Sequence, residues 1–293
     1  MNATTPPFTE EDTSRTLRTE HGVLHFHEVG HGPPLVMLHG SGPGATGWAN
    51  FGENLAAFAP HFRCLVLDLP GFGRSYTPPT NLVLHGAEAV AAFVDGLGLD
   101  SFSLLGNSLG GKFASQVAAA RPDQVRRLAT IGGVGLPLFS PLPSEGISRL
   151  VDFVENPTRE LLIAWMRSMV FDTATLTEEM IDRRWEAATE PEALAGIRQI
   201  YSREMLSFLR DIMLDNTNEF VTLRGIQAPT LVTWGRDDRV TPPDGLIPAM
   251  RLIRDCEVHI FPDCGHWTMI ERKDEFERVV IEFLTRDESE TTL

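Results

Sequence analysis

The stretch Phe102-Ser103-Leu104-Leu105-Gly106-Asn107-Ser108-Leu109-Gly110-Gly111 decides the fold. Its first half is a short apolar run that ends on glycine, as a buried parallel strand does. Its second half opens an alanine-rich helical stretch, Leu109 to Arg121, that stops at Pro122. Between the halves lies Gly106-x-Ser108-x-Gly110. A serine on so sharp a strand-to-helix turn points its hydroxyl out of the sheet, and the crowded turn admits only small neighbours. The helix behind it adds free N–H groups and the positive end of a dipole. Ser108 is therefore a candidate nucleophile. A bare Gly-x-Ser-x-Gly also arises as a tight turn in a glycine-rich loop. The strand before it, the helix after it and the extra Gly111 favour the catalytic reading.

Working outward, the pattern repeats. Leu35–Leu38, Arg63–Leu69, Leu128–Ile131, Thr230–Trp234 and Val258–Phe261 are short apolar runs bounded by Gly, Pro or Asp. Helical stretches lie among them, at Ala87 to Leu97 and Asp274 to Leu284. Strand and helix in alternation predict a doubly wound α/β sheet with right-handed crossovers. Gly22 to Val29 alternates apolar and polar residues and predicts an antiparallel edge strand. From about Leu136 to Asp215 the strand signals stop. Pro157 to Val170, Thr177 to Ala188 and Pro191 to Leu209 read as helices, and Thr177 with Glu178 and Glu179 has the look of a helix start. The expected organisation is a core of residues 1–135 and 216–293, with 136–215 inserted as a helical lid.

Two loops farther along supply partners for the serine. Trp234-Gly235-Arg236-Asp237-Asp238-Arg239 and Cys264-Gly265-His266-Trp267 each follow a strand. The order serine, acid, histidine suits a general base at His266 and an orienting carboxylate at Asp238. Asp237 competes for the acid role, and Asp238 is preferred. The loop His39-Gly40-Ser41-Gly42-Pro43-Gly44-Ala45 follows the first strong strand. Its glycines let backbone N–H groups approach a developing oxyanion, with the Ser41 and Leu109 N–H groups as the expected donors. His39, just before that loop, reads as structural. His21, His25, His27 and His31 cluster near the N-terminus. Without a Cys or Glu pattern beside them, no metal site is expected.

Composition narrows the function further. The 293 residues are 42% hydrophobic and 22% charged, as in globular proteins, and allow one substantial core with an insertion. A formal charge of -15 argues against nucleic acid and anionic membrane as partners. Three cysteines without regular spacing suggest a reducing, cytoplasmic setting rather than a disulfide framework. Met1 to Asp12 lacks the cationic start and apolar run of a signal peptide and reads as a disordered tail, as does Asp287 to Leu293. No run approaches the roughly 18 apolar residues of a membrane span.

The oxyanion loop together with Trp48-Ala49-Asn50-Phe51 resembles the meta-cleavage-product hydrolases, carbon–carbon bond hydrolases of the α/β-hydrolase fold. Gly106 to Gly111, Trp234 to Arg239, Cys264 to Trp267, Pro141-x-Pro143-x-Glu145-Gly146 and Arg184-Trp185-Glu186-Ala187 resemble the same family. The likeness runs from about Arg18 to Leu284. It implies a mostly parallel central sheet, a helical lid, no cofactor, no metal and a homo-oligomer. The substrate it implies is a 2-hydroxy-6-oxo-hexa-2,4-dienoate with a variable group on C6. In the family's manner, Arg184 grips the carboxylate. Gly40, Gly42, Asn50, Asn107 and Trp267 complete the binding site around the carboxylate and dienol.

The implied reaction first ketonises the dienol, placing a proton on C5, and then attacks the C6 carbonyl. Attack by Ser108 gives an acyl-enzyme, and attack by water with His266 as base gives a gem-diol. The acyl-enzyme route is favoured, and the residues alone do not separate the two. Leu150, Phe153, Trp165, Met166, Met169 and Phe171 are the candidates to line the apolar end. Two rivals stand beside this reading. A serine esterase or lactonase would keep the three catalytic residues without needing a carboxylate clamp. A non-catalytic ligand-binding protein would have no need to keep all three.

Overall fold

A computed structural model describes residues 8–78, 82–135, 137–207 and 217–286. Its centre is an eight-stranded sheet: β1 (Ser14–Thr19), β2 (Gly22–Val29), β3 (Pro34–Leu38), β4 (Arg63–Leu67), β5 (Phe102–Asn107), β6 (Val125–Ile131), β7 (Thr230–Gly235) and β8 (Cys256–Phe261), in the spatial order β1-β2-β4-β3-β5-β6-β7-β8. From β4 across to β8 every neighbouring pair is parallel, while β1 and β2 form an antiparallel flank. Every residue of β5 and of β7 is buried, which is why both read as unbroken apolar or small-residue runs. Helices Leu82–Gly96, Leu109–Ala120 and Lys273–Thr285 pack beside the sheet. Phe93, Phe113, Phe276 and Phe283 from these helices are fully or almost fully buried. Each contributes roughly 1.5–3 kcal/mol by leaving water.

The chain runs from β3 outward to β4 and then returns to the other side of β3 as β5. Leu38 at the end of β3 pairs with Gly106 of β5. The loops after β3 and after β5 therefore emerge side by side at the strands' carboxyl ends. Such a switch point is where open α/β sheets bind ligands.

Gly22–Val29 is not the edge of the sheet, contrary to the expectation from its alternation. It pairs on both sides, and β1 is the edge. The physical reason is that His25 and His27, polar in the pattern, are both buried and partnered. The His25 ring bonds Asp68 Oδ2 through Nδ1 and Ser14 Oγ through Nε2, each at 2.8 Å, and His27 Nδ1 lies 2.9 Å from Thr13 Oγ1. Asp68 also accepts from the Gly47 and Arg74 N–H groups. His25, His27 and Asp68 are close enough together to be a candidate metal set. Both His25 nitrogens and the Asp68 carboxylate are spent on hydrogen bonds that tie the flank to the parallel strands. His21 and His31 are exposed and apart from this network.

The tail also differs from its expected disorder. Glu10–Thr13 make one helical turn capped by the Thr9 side chain, and Thr13 is buried. Residues 1–7 and Asp287 to Leu293 lie outside the described residues.

Between β6 and β7 the chain forms helices Glu145–Glu155, Arg159–Met169, Glu178–Thr189 and Pro191–Tyr201. Ser144, Thr158 and Thr177 cap the first three, each side chain accepting the N–H three residues on. Helix Glu145–Glu155 was not singled out by the sequence. The stretch read as one helix from Pro191 to Leu209 breaks at Ser202, whose backbone is extended, and resumes over 203–207. Leu136 and residues 208–216 lie outside the described residues. Helix Thr217–Gly225 then leads into β7. Among the described residues no helix is long and apolar enough to cross a membrane.

Candidate active site

Ser108 occupies the turn between β5 and helix Leu109–Ala120 with φ 52° and ψ -117°. Few non-glycine residues adopt a positive φ, and holding one there costs of order 1–3 kcal/mol. Packing enforces the turn. A Cβ on Gly106 would run into the Gly110 carbonyl, and one on Gly110 into the Leu38 carbonyl. The glycines of the motif are thus required by the close approach of helix, turn and β3.

Asp238 follows β7 and His266 follows β8. The two meet with His266 Nδ1 2.7 Å from Asp238 Oδ2, both side chains 2% exposed. The other carboxylate oxygen accepts the N–H groups of Val240 and Thr241 at 2.7 and 2.9 Å. The Thr241 hydroxyl donates to Asp238 Oδ2 at 2.9 Å. These bonds fix the carboxylate against the imidazole, with Nδ1 of His266 turned to it. Asp237 turns away and pairs with Arg236 at 3.2 Å. The His266 N–H donates to the Met169 carbonyl at 2.7 Å. Glu271 binds the N–H groups of Gly265, Phe171 and Asp172, so the histidine loop is stitched to the end of helix Arg159–Met169.

Ser108 and His266 line one cavity. Gly40, Ser41, Gly42, Asn50, Asn107, Arg184 and Trp267 line it as well. Leu109 is not on the wall. It opens the helix behind Ser108, where its N–H has no partner within the helix. Asn50 Oδ1 accepts from the Gly40 N–H at 3.4 Å, while its Nδ2 is buried without a partner. Asn107 spends one N–H on the Ile131 carbonyl at 3.3 Å. His39 lies beneath the loop, with Nδ1 on the Gly40 carbonyl and Nε2 accepting from the Leu69 N–H.

Arg184 comes from helix Glu178–Thr189. Its Nη1 donates to the Pro43 carbonyl at 3.2 Å, and its guanidinium lies 5.5 Å from the Trp267 ring centroid. Burial pushes its pKa down to about 10, which still leaves it charged at neutral pH. Among the described residues no carboxylate pairs with it. Its partner on the helical side, Arg183, points outward and pairs with Glu179.

Part of the cavity wall is apolar. Leu150, Trp165 and Met169 line it together with Ile147 and Val240, two residues the sequence did not suggest. Phe153 and Met166 are buried in the core beside it, and Phe171 is 48% exposed on the surface. The sequence also missed Thr241 and Tyr201. Thr241 is three residues after Asp238, a spacing that suits a local hydroxyl-to-carboxylate bond. Tyr201 ends a helix 160 positions from its partner Ser41, and nothing local marks it.

With this geometry in view, the chain can be set beside known proteins. Residues 33–273 match the sequence profile of the alpha/beta hydrolase fold family. The 2-hydroxy-6-oxo-6-phenylhexa-2,4-dienoate hydrolase of Comamonas testosteroni is 36% identical over 89% of this chain and 91% of its own length. The 2-hydroxy-6-oxononadienedioate/2-hydroxy-6-oxononatrienedioate hydrolase of Klebsiella pneumoniae subsp. pneumoniae is 37% identical over 96% and 98%. Among solved structures, the meta-cleavage product hydrolase of Pseudomonas fluorescens superposes with a TM-score of 0.84 over 94% of this chain and 98% of that one, at 24% identity, and so speaks to the fold. Identity of 36% and 37% to two dienoate hydrolases, over 89% and 96% of the chain and on this fold, places the chain in the meta-cleavage-product hydrolase family of the alpha/beta hydrolases.

Proposed function

We propose that the protein hydrolyses the C5–C6 bond of a 2-hydroxy-6-oxo-hexa-2,4-dienoate. The observation that carries this is Arg184. It is a guanidinium with no carboxylate partner among the described residues, on the wall of the cavity that also holds Ser108 and His266. A plain ester needs no such group, whereas a dienoate brings a carboxylate that a guanidinium binds in a bidentate fork. The Asn50 Nδ2 donor and the Trp267 indole add contacts around the carboxylate and dienol.

Residues 136–215 serve as a lid, with its helices supplying Arg184 and much of the apolar wall. Bound beneath it, the dienol transfers its proton to C5 and becomes the 2-keto form. His266 then takes the Ser108 proton as the oxygen attacks C6, and the negative charge moves onto the C6 oxygen. The N–H groups of Ser41 and Leu109 stabilise that oxyanion. When it collapses, the C5–C6 bond breaks. Its electron pair is delocalised onto the 2-keto oxygen, the proton held by His266 passes to the resulting enolate, and the 2-hydroxydienoate leaves. Water, deprotonated by His266, cleaves the acyl-enzyme to a carboxylic acid and frees Ser108.

No chemical step calls on a metal or organic cofactor. The three cysteines are free thiols, which supports a cytoplasmic enzyme.

A panel of dienoates differing only at C6 tests the proposal. Loss of their yellow colour with release of the matching carboxylic acid is the expected result. Hydrolysis of neutral aryl esters with no bleaching of any dienoate would leave a serine esterase instead.

A further inference from the structure

Four consecutive residues of the oxyanion loop are each met by the lid. The Ser41 hydroxyl is 2.6 Å from the Tyr201 hydroxyl. The space beside Gly42 is filled by the Trp165 indole. The Pro43 carbonyl accepts from Arg184. Gly44 faces Ala187, so that an added Cβ would come within 2.9 Å of the alanine methyl. Of these contacts, the hydroxyl pair is the one that joins a lid side chain to the side chain of a residue whose backbone N–H is assigned to the oxyanion.

Tyr and Ser each carry one O–H. One of the two hydrogens is used between them. Among the described residues neither oxygen has another partner, so the pair retains one O–H. Both residues line the cavity. Burial pushes the Tyr201 phenol pKa up, which keeps it protonated and able to donate. Ser41 is also the residue whose backbone N–H is assigned to the oxyanion, and it lines the same cavity as Ser108. If Tyr201 donates to Ser41 Oγ, the serine's own hydrogen is released toward the cavity, and a chain of two hydrogen bonds polarises in the same direction.

We propose that Tyr201 is a positioning residue that acts through the Ser41 hydroxyl, turning that hydroxyl into a third donor for the C6 oxyanion. The inference rests on the reading of Ser108 as nucleophile at a C6 carbonyl. It puts part of the oxyanion site under the control of the lid, because Tyr201 ends helix Pro191–Tyr201.

Tyr201→Phe, Ser41→Ala and the double variant test it, each assayed on a dienoate and on a neutral aryl ester, since both pass through an oxyanion. Tyr201→Phe should lower kcat roughly 3–10-fold on both substrates, in line with the loss of one hydrogen bond. KM should stay within about two-fold, as expected for an interaction made in the transition state. The melting temperature should hold, because the ring is kept. Ser41→Ala should lose more, and the double variant no more than Ser41→Ala. Unchanged kcat in Tyr201→Phe, a rise in KM alone, a fall in kcat matched by a collapse in melting temperature, or losses that multiply in the double variant would each overturn the proposal. If the unmodified protein cleaves the ester and no dienoate, the substrate reading falls, while the ester arm still decides the role of Tyr201.

Discussion

The two walls of the cavity are built in opposite ways. The sheet wall carries Ser108, Asp238 and His266 on loops that leave β5, β7 and β8. There, backbone strain, glycine contacts and buried hydrogen bonds permit one arrangement. The lid wall carries Arg184, Trp165 and Tyr201 on helices, the first two capped by the Thr177 and Thr158 side chains, that present side chains from their faces. The sheet wall cannot change without losing its geometry. The lid wall can exchange one side chain for another and keep its helices. On the proposed reading, bond-breaking belongs mainly to the rigid half, with Tyr201 reaching across to the oxyanion site, and choice of substrate to the adaptable half.

The largest test of that division is Ser108→Ala. It should lower kcat by several orders of magnitude on dienoate and ester alike, because it removes the shared nucleophile. Steady-state assays on both substrates measure it, and near-normal turnover on either would dissolve the distinction between the walls. Next comes Arg184→Ala. Losing a charge-assisted grip on the carboxylate should lower kcat/KM for the dienoate by about 10–100-fold. A neutral aryl ester should change only a few-fold. Equal losses would move Arg184 out of the selective half. The smallest effect is expected at Ser144→Ala, which removes a cap whose Oγ accepts from Ile147 N–H and donates to the Val240 carbonyl. It should cost about 1 kcal/mol in chemical denaturation while kcat on the ester is nearly unchanged. A large loss of ester turnover would show that lid docking also shapes the sheet wall.

How much of this was legible in sequence followed from burial. The parallel strands were legible because a strand covered on both faces must be apolar throughout, as β5 and β7 are. β1 was not, since an edge strand with the pattern Ser-Arg-Thr-Leu-Arg-Thr has one apolar residue in six. β2 was seen but misplaced, because two buried histidines imitate an exposed face when their partners at Asp68, Ser14 and Thr13 are unknown. The convergence of Ser108, Asp238 and His266 could be read from three strand ends in a fixed order. The Tyr201 contact could not. It joins a helix end to a loop across 160 residues, and no local period records it. The break at Ser202 was hidden for a related reason: apolar residues continue at helical spacing past it, through Leu206.

The backbone at Ser108 has a consequence for the protein's own history. A left-handed torsion is nearly free for glycine and expensive for every other residue. The most relaxed chain of this shape would therefore carry glycine at position 108 and catalyse nothing. Backbone relaxation and turnover thus make opposite demands on this one position.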